Sequence, residues 1–363
     1  MIIKKKYVIS FIIALLISSF TANFSKNLID GDITKYVKVY NFTSFSEAEK
    51  RYTVSQDPSI DIWGNTDQTD RDYYSKHLTS REITHFVTIS FFSKFLSYYQ
   101  YLAVLNFFLI FLIFVLLIKN NANFLITLTL LFTNYYMIIL YFGAERLKVG
   151  LIFGLIALIF YDNKKLSYSN LIISVMSHFQ LIIFYVAIFF NYIIRSIIKI
   201  FSHKIISLFF LFLLLSFIII LLVANNHIIY KINQQILTLN DIIIGWIKIT
   251  IFFILTYINF KKFSFLLFLF LPFYFATIIV GSDRYIILVF AIFFYFSIKK
   301  NRGVNFPLIV VLTYFSFKTI LVIFPLVNCN TLNMDVEECK ITLYKAERTK
   351  RINANKFLIK KYN

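Results

Sequence analysis

The sequence has little charge and lacks the short motifs that mark many soluble enzymes. Charged residues make up 15% of its 363 residues, against about 25% in soluble domains. The two cysteines, Cys329 and Cys339, form no metal-binding or redox motif. A Walker loop, an HExxH pattern and a GxGxxG pattern are all absent from the sequence. The sequence therefore predicts no cofactor and no metal ion.

Hydrophobic residues dominate the chain. They form 59% of it, and the mean hydropathy is +0.74. Apolar runs recur from end to end, and a membrane span takes about 20 apolar residues in a helix. Only helices and closed barrels satisfy their backbones in lipid, and continuous rather than alternating runs indicate helices. The predicted fold is all-α, a polytopic integral membrane protein with about ten to twelve transmembrane helices.

The net charge of +19 does not indicate a nucleic-acid partner. The basic residues lie in short clusters between apolar runs, which is typical of cytoplasmic loops in membrane proteins. The abundance of Phe, Ile, Lys, Asn and Tyr is typical of an AT-rich bacterial gene. We therefore predict a multi-pass protein of the bacterial inner (cytoplasmic) membrane, with membrane lipid as a partner.

The chain is predicted to form one membrane domain and a tail. Residues 1–327 are the polytopic membrane domain, and residues 328–363 are a polar, basic tail. The first helix runs to about Ala22 and is either retained or cleaved as a signal peptide. Residues 24–95 hold 10 of the 18 acidic residues, which predicts a long periplasmic loop after the first helix, with an amphipathic helix over residues 82–100.

Further spans follow from the apolar runs. They are predicted at residues 101–118, 122–142, 147–162, 167–177, 179–194, 205–224, 242–260, 263–280, 285–298 and 304–327. The pair around His178 is short for full spans and could be re-entrant, which is tolerated where a segment lines a protein or water cavity.

The side of each loop depends on whether the chain turns near His178. If residues 167–194 were one helix, eight basic residues of the later loops would lie outside. A turn at His178 returns all eight to the cytoplasm, as the distribution of Lys and Arg in short loops favours. The eight residues are Arg195, Lys199, Lys204, Lys261, Lys262, Lys299, Lys300 and Arg302.

The same topology places the tail outside, where Cys329 and Cys339 could pair in an oxidising compartment. Lys318 lies within the last predicted span. The alternative is therefore that the last segment is itself a hairpin, which would put the tail inside.

Two short motifs match each other. Gly143-Ala144-Glu145-Arg146 opens one predicted helix, and Gly281-Ser282-Asp283-Arg284 opens another. In the predicted topology both lie at the outer end of a helix that runs inward, where free N–H groups and the helix dipole favour phosphate. Arg146 and Arg284 would add bidentate contacts there. The alternative is that both arginines only anchor the helices at the interface.

The further candidates for the site are ionisable residues. His178 lies at the predicted outer turn and could act as an acid or base, although a bond to a neighbouring helix would also explain it. Lys148 lies within a predicted span near Arg146. Asp70 and Asp72, with Asp67, could serve as a base or bind a cation, and a solvated loop is the alternative for them.

Several segments together resemble the core of O-antigen polymerases (Wzy) and EpsG-like exopolysaccharide polymerases. In that family an Arg begins a helix, a basic turn follows, and a His ends the next short segment. The first outer loop carries an Asp before a Tyr and then a Glu. The matching segments here are Arg146-Leu147-Lys148-Val149-Gly150-Leu151, Asn163-Lys164-Lys165, Ser177-His178-Phe179, Asp70-Arg71-Asp72-Tyr73-Tyr74 with Glu82 and Phe86, and Asp283-Arg284-Tyr285.

The resemblance implies a metal-independent glycosyltransferase that polymerises lipid-linked repeat units of lipopolysaccharide O-antigen or exopolysaccharide on the periplasmic face. Its substrate would be an undecaprenyl-pyrophosphate-linked oligosaccharide, and a chain-length regulator and a flippase of the same pathway are candidate partners. Arg146, Lys148 and Arg284 would bind pyrophosphate. His178, Asp70 or Asp72 would act as the base.

Three other functions are consistent with the sequence. A different membrane glycosyltransferase or a ligase would use the same lipid donor with another acceptor. A flippase or transporter would bind the lipid without chemistry, and transporters often contain broken helices at matching positions of two repeats. A structural membrane subunit is the third. Surface polysaccharide from a deletion strain distinguishes these functions best.

Overall fold

A computed structural model provides the coordinates of the protein. The residues that the structure describes are 2–28, 31–45, 70, 73–75, 78, 82–178, 180–188, 239–280, 285–330 and 338–339.

The regular elements of this described part are helices throughout, which confirms the all-α prediction. A single 3-10 turn, Asn301–Gly303, precedes the last helix, and residues 181–188 are also helical. In chain order the helices are α1 (Ile2–Ser25), α2 (Gly31–Ser44), α3 (Ile83–Phe92), α4 (Tyr98–Lys119), α5 (Phe124–Thr133), α6 (Tyr135–Phe142), α7 (Glu145–Ile159), α8 (Lys164–Ser177), α9 (Leu239–Phe260), α10 (Phe263–Val280), α11 (Ile286–Lys299) and α12 (Phe306–Cys329).

Within the described ranges, four segments are long and apolar enough to cross a membrane. They are Lys5–Ser25, Tyr98–Lys119, Asn240–Phe260 and Asn301–Cys329. A bent pair, α5 with α6, makes a fifth if the two helices form one broken span. This supports a multi-pass membrane protein. The predicted number of ten to twelve spans stays a prediction, since the predicted span 205–224 and part of 179–194 lie outside the described residues. Within the described ranges, three further apolar helices are shorter than the roughly 20 residues of a full span.

The predicted single span over residues 122–142 is wrong in one respect. It consists of two helices, bent by 55° at Asn134. The Asn134 backbone is extended, and its side-chain oxygen accepts a hydrogen bond from the Tyr136 N–H at 3.0 Å. An asparagine that caps a helix in this way competes with helix continuation, which explains the break.

The first predicted loop, residues 24–95, contains the helices α2 and α3, and its described residues 70, 73–75 and 78 are helical as well. The amphipathic helix predicted over residues 82–100 is wrong in extent, because α3 ends at Phe92 and α4 begins at Tyr98. Ser97 starts α4 with a capping box, in which its side chain accepts from the Gln100 backbone N–H and its own N–H is bonded by the Gln100 side chain. Such reciprocal bonds define a helix start.

The chain clusters into two compact units. The first comprises residues 1–178 and 310–363, and the second comprises residues 179–309. In the first unit α1 packs along α4, α7 packs between α4 and α8, and α3 packs against α2 and α8. In the second unit α9 packs against α10 and α11. The division into a membrane domain and a tail stays a prediction.

The helix break predicted at His178 is present. Helix α8 ends at Ser177, and His178 has an extended backbone, with φ −157° and ψ 108°. The change of membrane side at this position stays a prediction. The predicted span 205–224 lies outside the described residues.

Cys329 and Cys339 form a disulfide, with 5.9 Å between their Cα atoms. This confirms the pairing suggested by the sequence. The side of the membrane on which the tail lies stays a prediction.

Candidate functional site

Glu82 is the central residue of the candidate site. It directly precedes α3, and its side chain makes no bond that caps that helix. Its carboxylate reaches two other helices instead. Oε2 accepts a hydrogen bond from Nη1 of Arg146 at 3.1 Å, and Oε1 accepts one from Nδ1 of His178 at 2.7 Å. A single buried carboxylate thus joins residues that lie 64 and 96 positions away in the sequence.

A strained turn places Arg146 at this carboxylate. Helix α6 ends at Phe142, and the next helix starts after Ala144, whose backbone is left-handed, with φ 48° and ψ 40°. Residues with a Cβ rarely adopt this conformation. Arg146 is then the second residue of α7, where unpaired backbone N–H groups and the helix dipole add to its positive charge. Its Nε also donates to the Tyr36 hydroxyl at 3.3 Å.

The side chains of Glu82, Arg146 and His178 differ in how much of their surface is exposed. Glu82 keeps 5% of its side-chain surface exposed, whereas Arg146 keeps 23% and His178 keeps 12%. An incoming molecule could therefore touch the guanidinium and the imidazole, with the carboxylate behind them. In the described part of the chain no residue is bonded to Nη2 of Arg146. That nitrogen is the donor available to an anion.

A second polar group lies directly beside the first. Glu145, the first residue of α7, is 1% exposed. Its Oε1 accepts from Nε2 of His85 at 3.1 Å, and its Oε2 accepts from the Tyr98 hydroxyl at 3.0 Å. Nδ1 of His85 is 2.7 Å from the Tyr74 hydroxyl. The four side chains form a continuous chain of hydrogen bonds in the interior.

The Tyr74 hydroxyl is a hydrogen-bond donor in this arrangement. Burial, together with the nearby Glu82 carboxylate, raises the pKa of Tyr74 well above its usual value. The phenol therefore keeps its proton and donates it. If the neutral His85 ring carries its proton on Nε2, as the bond to Glu145 requires, then Nδ1 accepts from Tyr74.

Lys148 occupies a different environment from the one expected from the sequence. It is fully buried, and its Nζ donates to the Tyr141 carbonyl oxygen at 3.3 Å. The same carbonyl accepts from Nδ2 of Asn106, which also donates to Thr21. In this structure Lys148 lies among helices α1, α4, α6 and α7 and is not exposed at the surface that Arg146 and His178 share.

The structure brings together two of the six predicted site residues, Arg146 and His178. Asp70 is described and half-buried. Asp72 and Arg284 lie outside the described residues. No cluster of three potential metal-binding side chains occurs in the described ranges.

Three residues of the site have no role that was predicted from the sequence. Glu82 entered it only as part of the resemblance, and Glu145 only as the acid before an arginine. His85 carried no signal at all. A usable signal existed for Glu145 alone: acids are rare among the apolar segments after residue 95, and an acid that enters the membrane region needs a partner there.

No protein-family model matches the chain, and no curated protein or solved structure shows significant similarity to it.

Proposed function

We propose that the protein joins undecaprenyl-pyrophosphate-linked oligosaccharides into a longer glycan on the periplasmic face of the bacterial inner membrane. The observation that supports this most is the single carboxylate of Glu82 that holds both Arg146 and His178. A cation and a base beside each other are the two groups that this transfer needs. The resemblance described above names the substrate class.

Arg146 is proposed to bind the pyrophosphate of the donor. The guanidinium is partly exposed, and its Nη2 is available to a phosphate oxygen. A planar guanidinium binds phosphate through two parallel bonds, and the start of α7 adds a favourable dipole. As the sugar leaves, negative charge builds up on the pyrophosphate. Arg146 would stabilise that charge electrostatically.

His178 is proposed to be the base. Because the Glu82 carboxylate can only accept, the His178 Nδ1 must carry a proton, and the neutral ring then has its lone pair on Nε2. In the transfer, an acceptor sugar hydroxyl attacks the anomeric carbon of the donor. The bond from that carbon to the pyrophosphate oxygen breaks with its electron pair, and the hydroxyl proton passes to Nε2 of His178.

The remaining sequence candidates keep subsidiary roles in this proposal. Arg284 would bind a second phosphate, and Asp70 or Asp72 would be an alternative base. Lys148, whose amino group is buried, would support the turn before α7 through its bond to the Tyr141 carbonyl oxygen and would not contact the anion. A chain-length regulator and a flippase of the same pathway are the proposed protein partners.

Deletion and complementation test the proposal. A strain without the gene should carry a single repeat on its lipid anchor, and the wild-type gene should restore the ladder of longer glycans on a gel. We expect Arg146→Ala to lower polymerisation by roughly 10²–10³-fold, as the loss of one stabilising donor does elsewhere. His178→Ala removes the base and should lower it by roughly 10²–10⁴-fold. Arg146→Lys should recover only part, because the planar fork is lost.

Arg302→Ala is the matched control, since Arg302 is exposed in the turn Asn301–Gly303, and it should leave the ladder intact. A deletion strain with no repeat at all on its surface would indicate a ligase or a flippase. Full-length polymer from both the Arg146→Ala and the His178→Ala variants would refute the site.

A further inference from the structure

Helices α3 and α7 are joined by two polar pairs of opposite orientation. In the first pair the acid, Glu82, is on the α3 side and the base, Arg146, is on α7. In the second pair the base, His85, is on α3 and the acid, Glu145, is on α7. Glu82 and His85 are one helical turn apart, and Glu145 and Arg146 are neighbours in sequence.

This crossed arrangement opposes a shift of α3 relative to the start of α7. If Glu82 moved to the place that His85 occupies, its carboxylate would approach the Glu145 carboxylate, and like charges in a poorly hydrated interior repel strongly. The second pair therefore holds the first in place. It is also the more deeply buried of the two, with side-chain exposures of 0% for His85 and 2% for Glu145.

Two tyrosines connect the second pair to the rest of the site. The Tyr98 hydroxyl, from α4, donates to Glu145. The Tyr74 hydroxyl lies 2.7 Å from His85 and 3.4 Å from the Glu82 backbone oxygen. The start of α3, where Glu82 lies, is thus bonded to its surroundings through His85 and Tyr74. A ten-residue helix has little stability of its own, so these bonds determine where its first turn lies.

We propose that Glu145 and His85 are positioning residues for the transfer reaction, which set the place of Glu82 and hence the orientation of His178. Neither touches the substrate. They act through α3, because His85 lies in the first turn of that helix, directly after Glu82. This inference rests on the proposed function, and its test is arranged so that the two can fail separately.

The test measures steady-state kinetics with purified full-length protein in lipid nanodiscs and a lipid-linked oligosaccharide substrate. Rates are expressed per folded, monodisperse molecule. We expect Glu145→Ala and His85→Leu each to lower kcat by about 10²-fold, the cost of a displacement of about 1 Å at a reacting group, with little change in KM. Glu145→Gln should recover part of the loss, because an amide oxygen still accepts from His85.

The double variant Glu145→Ala with His85→Leu sharpens the test. Because both residues act through one contact, the double variant should be no slower than the slower single one. If Glu145→Ala does not fold, His85→Leu removes the same contact from the α3 side, and its kcat then tests the positioning role.

Wild-type kcat in Glu145→Ala or His85→Leu, with Arg146→Ala and His178→Ala inactive, would overturn the positioning role and leave the proposed function standing. A lower yield of folded protein with unchanged kcat and KM would also overturn it, since that is the result of a purely structural contact. Activity in all of these variants would instead refute the proposed function.

Discussion

The two units of the chain differ in which kinds of polar side chain they bury. In the described part of the first unit, the buried polar residues include two acids, an imidazole and an amine, namely Glu82, Glu145, His85 and Lys148. In the described part of the second unit, the buried polar residues are all uncharged: Thr256, Thr277, Ser297 and Asn305. Buried amides and hydroxyls in membrane helices mainly hold helices together. Buried charges are expensive and mark functional sites.

The second unit shows what such an uncharged cluster does. Nδ2 of Asn259, near the end of α9, donates to the Ser297 hydroxyl at 2.8 Å and to Oδ1 of Asn305 at 3.1 Å. Asn305 in turn donates to the Ser297 carbonyl at 2.8 Å. These bonds join α9, α11 and the turn before α12. The contrast predicts that substitutions in the first unit change activity and those in this cluster change stability.

The largest expected effect on stability is that of Glu82→Ala. It leaves Arg146 with Tyr36 as its remaining hydrogen-bond partner in the described structure and removes one hydrogen-bond acceptor of His178. Breaking a fully buried pair costs roughly 3–5 kcal/mol. We expect a loss near or below the lower end of this range, because Arg146 keeps 23% exposure. The free energy of unfolding, measured by SDS titration in mixed micelles, gives the value.

The double variant Glu82→Ala with Arg146→Ala is the control. Removing both partners leaves no uncompensated charge, so it should be more stable than Glu82→Ala alone. Polymerisation should be lost in both. If the double variant were the less stable of the two, the pair would not behave as a buried ion pair.

The substitution Asn259→Ala is expected to have an effect on stability of intermediate size. It removes two side-chain bonds in the second unit, and such bonds between membrane helices contribute about 0.6 kcal/mol each on average. We therefore expect a loss of about 1 kcal/mol in the same titration, with kcat per folded molecule unchanged. The matched substitution in the first unit is Asn106→Ala, which also removes two bonds of a buried amide. A fall in kcat for Asn259→Ala would contradict the division of roles between the two units.

The sequence predicted the helical elements well because apolar length is a local property. The predicted spans 147–162 and 242–260 correspond to α7 and α9 within a few residues, and the break at His178 followed from charge placement alone. The bend at Asn134 was missed because one polar residue barely lowers the hydropathy of a window. Asn134 acts as a cap because the backbone of α5 ends at that position, and the hydropathy of the surrounding residues does not show where a helix ends.

The site was predicted only in part, for a related reason. Arg146 and His178 were visible as charged residues at the ends of apolar segments. Their common partner, Glu82, belongs to a loop rich in acids, where no local feature sets it apart from its neighbours. His85 is recognisable only through its contact with Glu145, 60 positions away. Pairings over such distances follow from helix packing, which a single sequence does not specify.

The smallest expected effect concerns the backbone that delivers Arg146 to the site. Ala144 is left-handed, with φ 48°, a conformation that costs a residue with a Cβ roughly 1–2 kcal/mol. Ala144→Gly relieves that strain but gives the unfolded chain more freedom, which opposes folding by about 0.4–1 kcal/mol. The net expected change in unfolding free energy is a gain of about 1 kcal/mol or less.

Ala157→Gly is the matched control, because Ala157 lies inside the same helix, α7, and is 1% exposed. There the glycine has no strain to relieve and should cost about 1 kcal/mol. SDS titration of both variants measures the difference between them. Equal losses would show that the turn before α7 carries no strain. If Ala144→Gly were more stable but polymerised less, the strained backbone at Ala144 would be needed to hold Arg146 at Glu82. Strained backbone is retained where geometry matters more than stability.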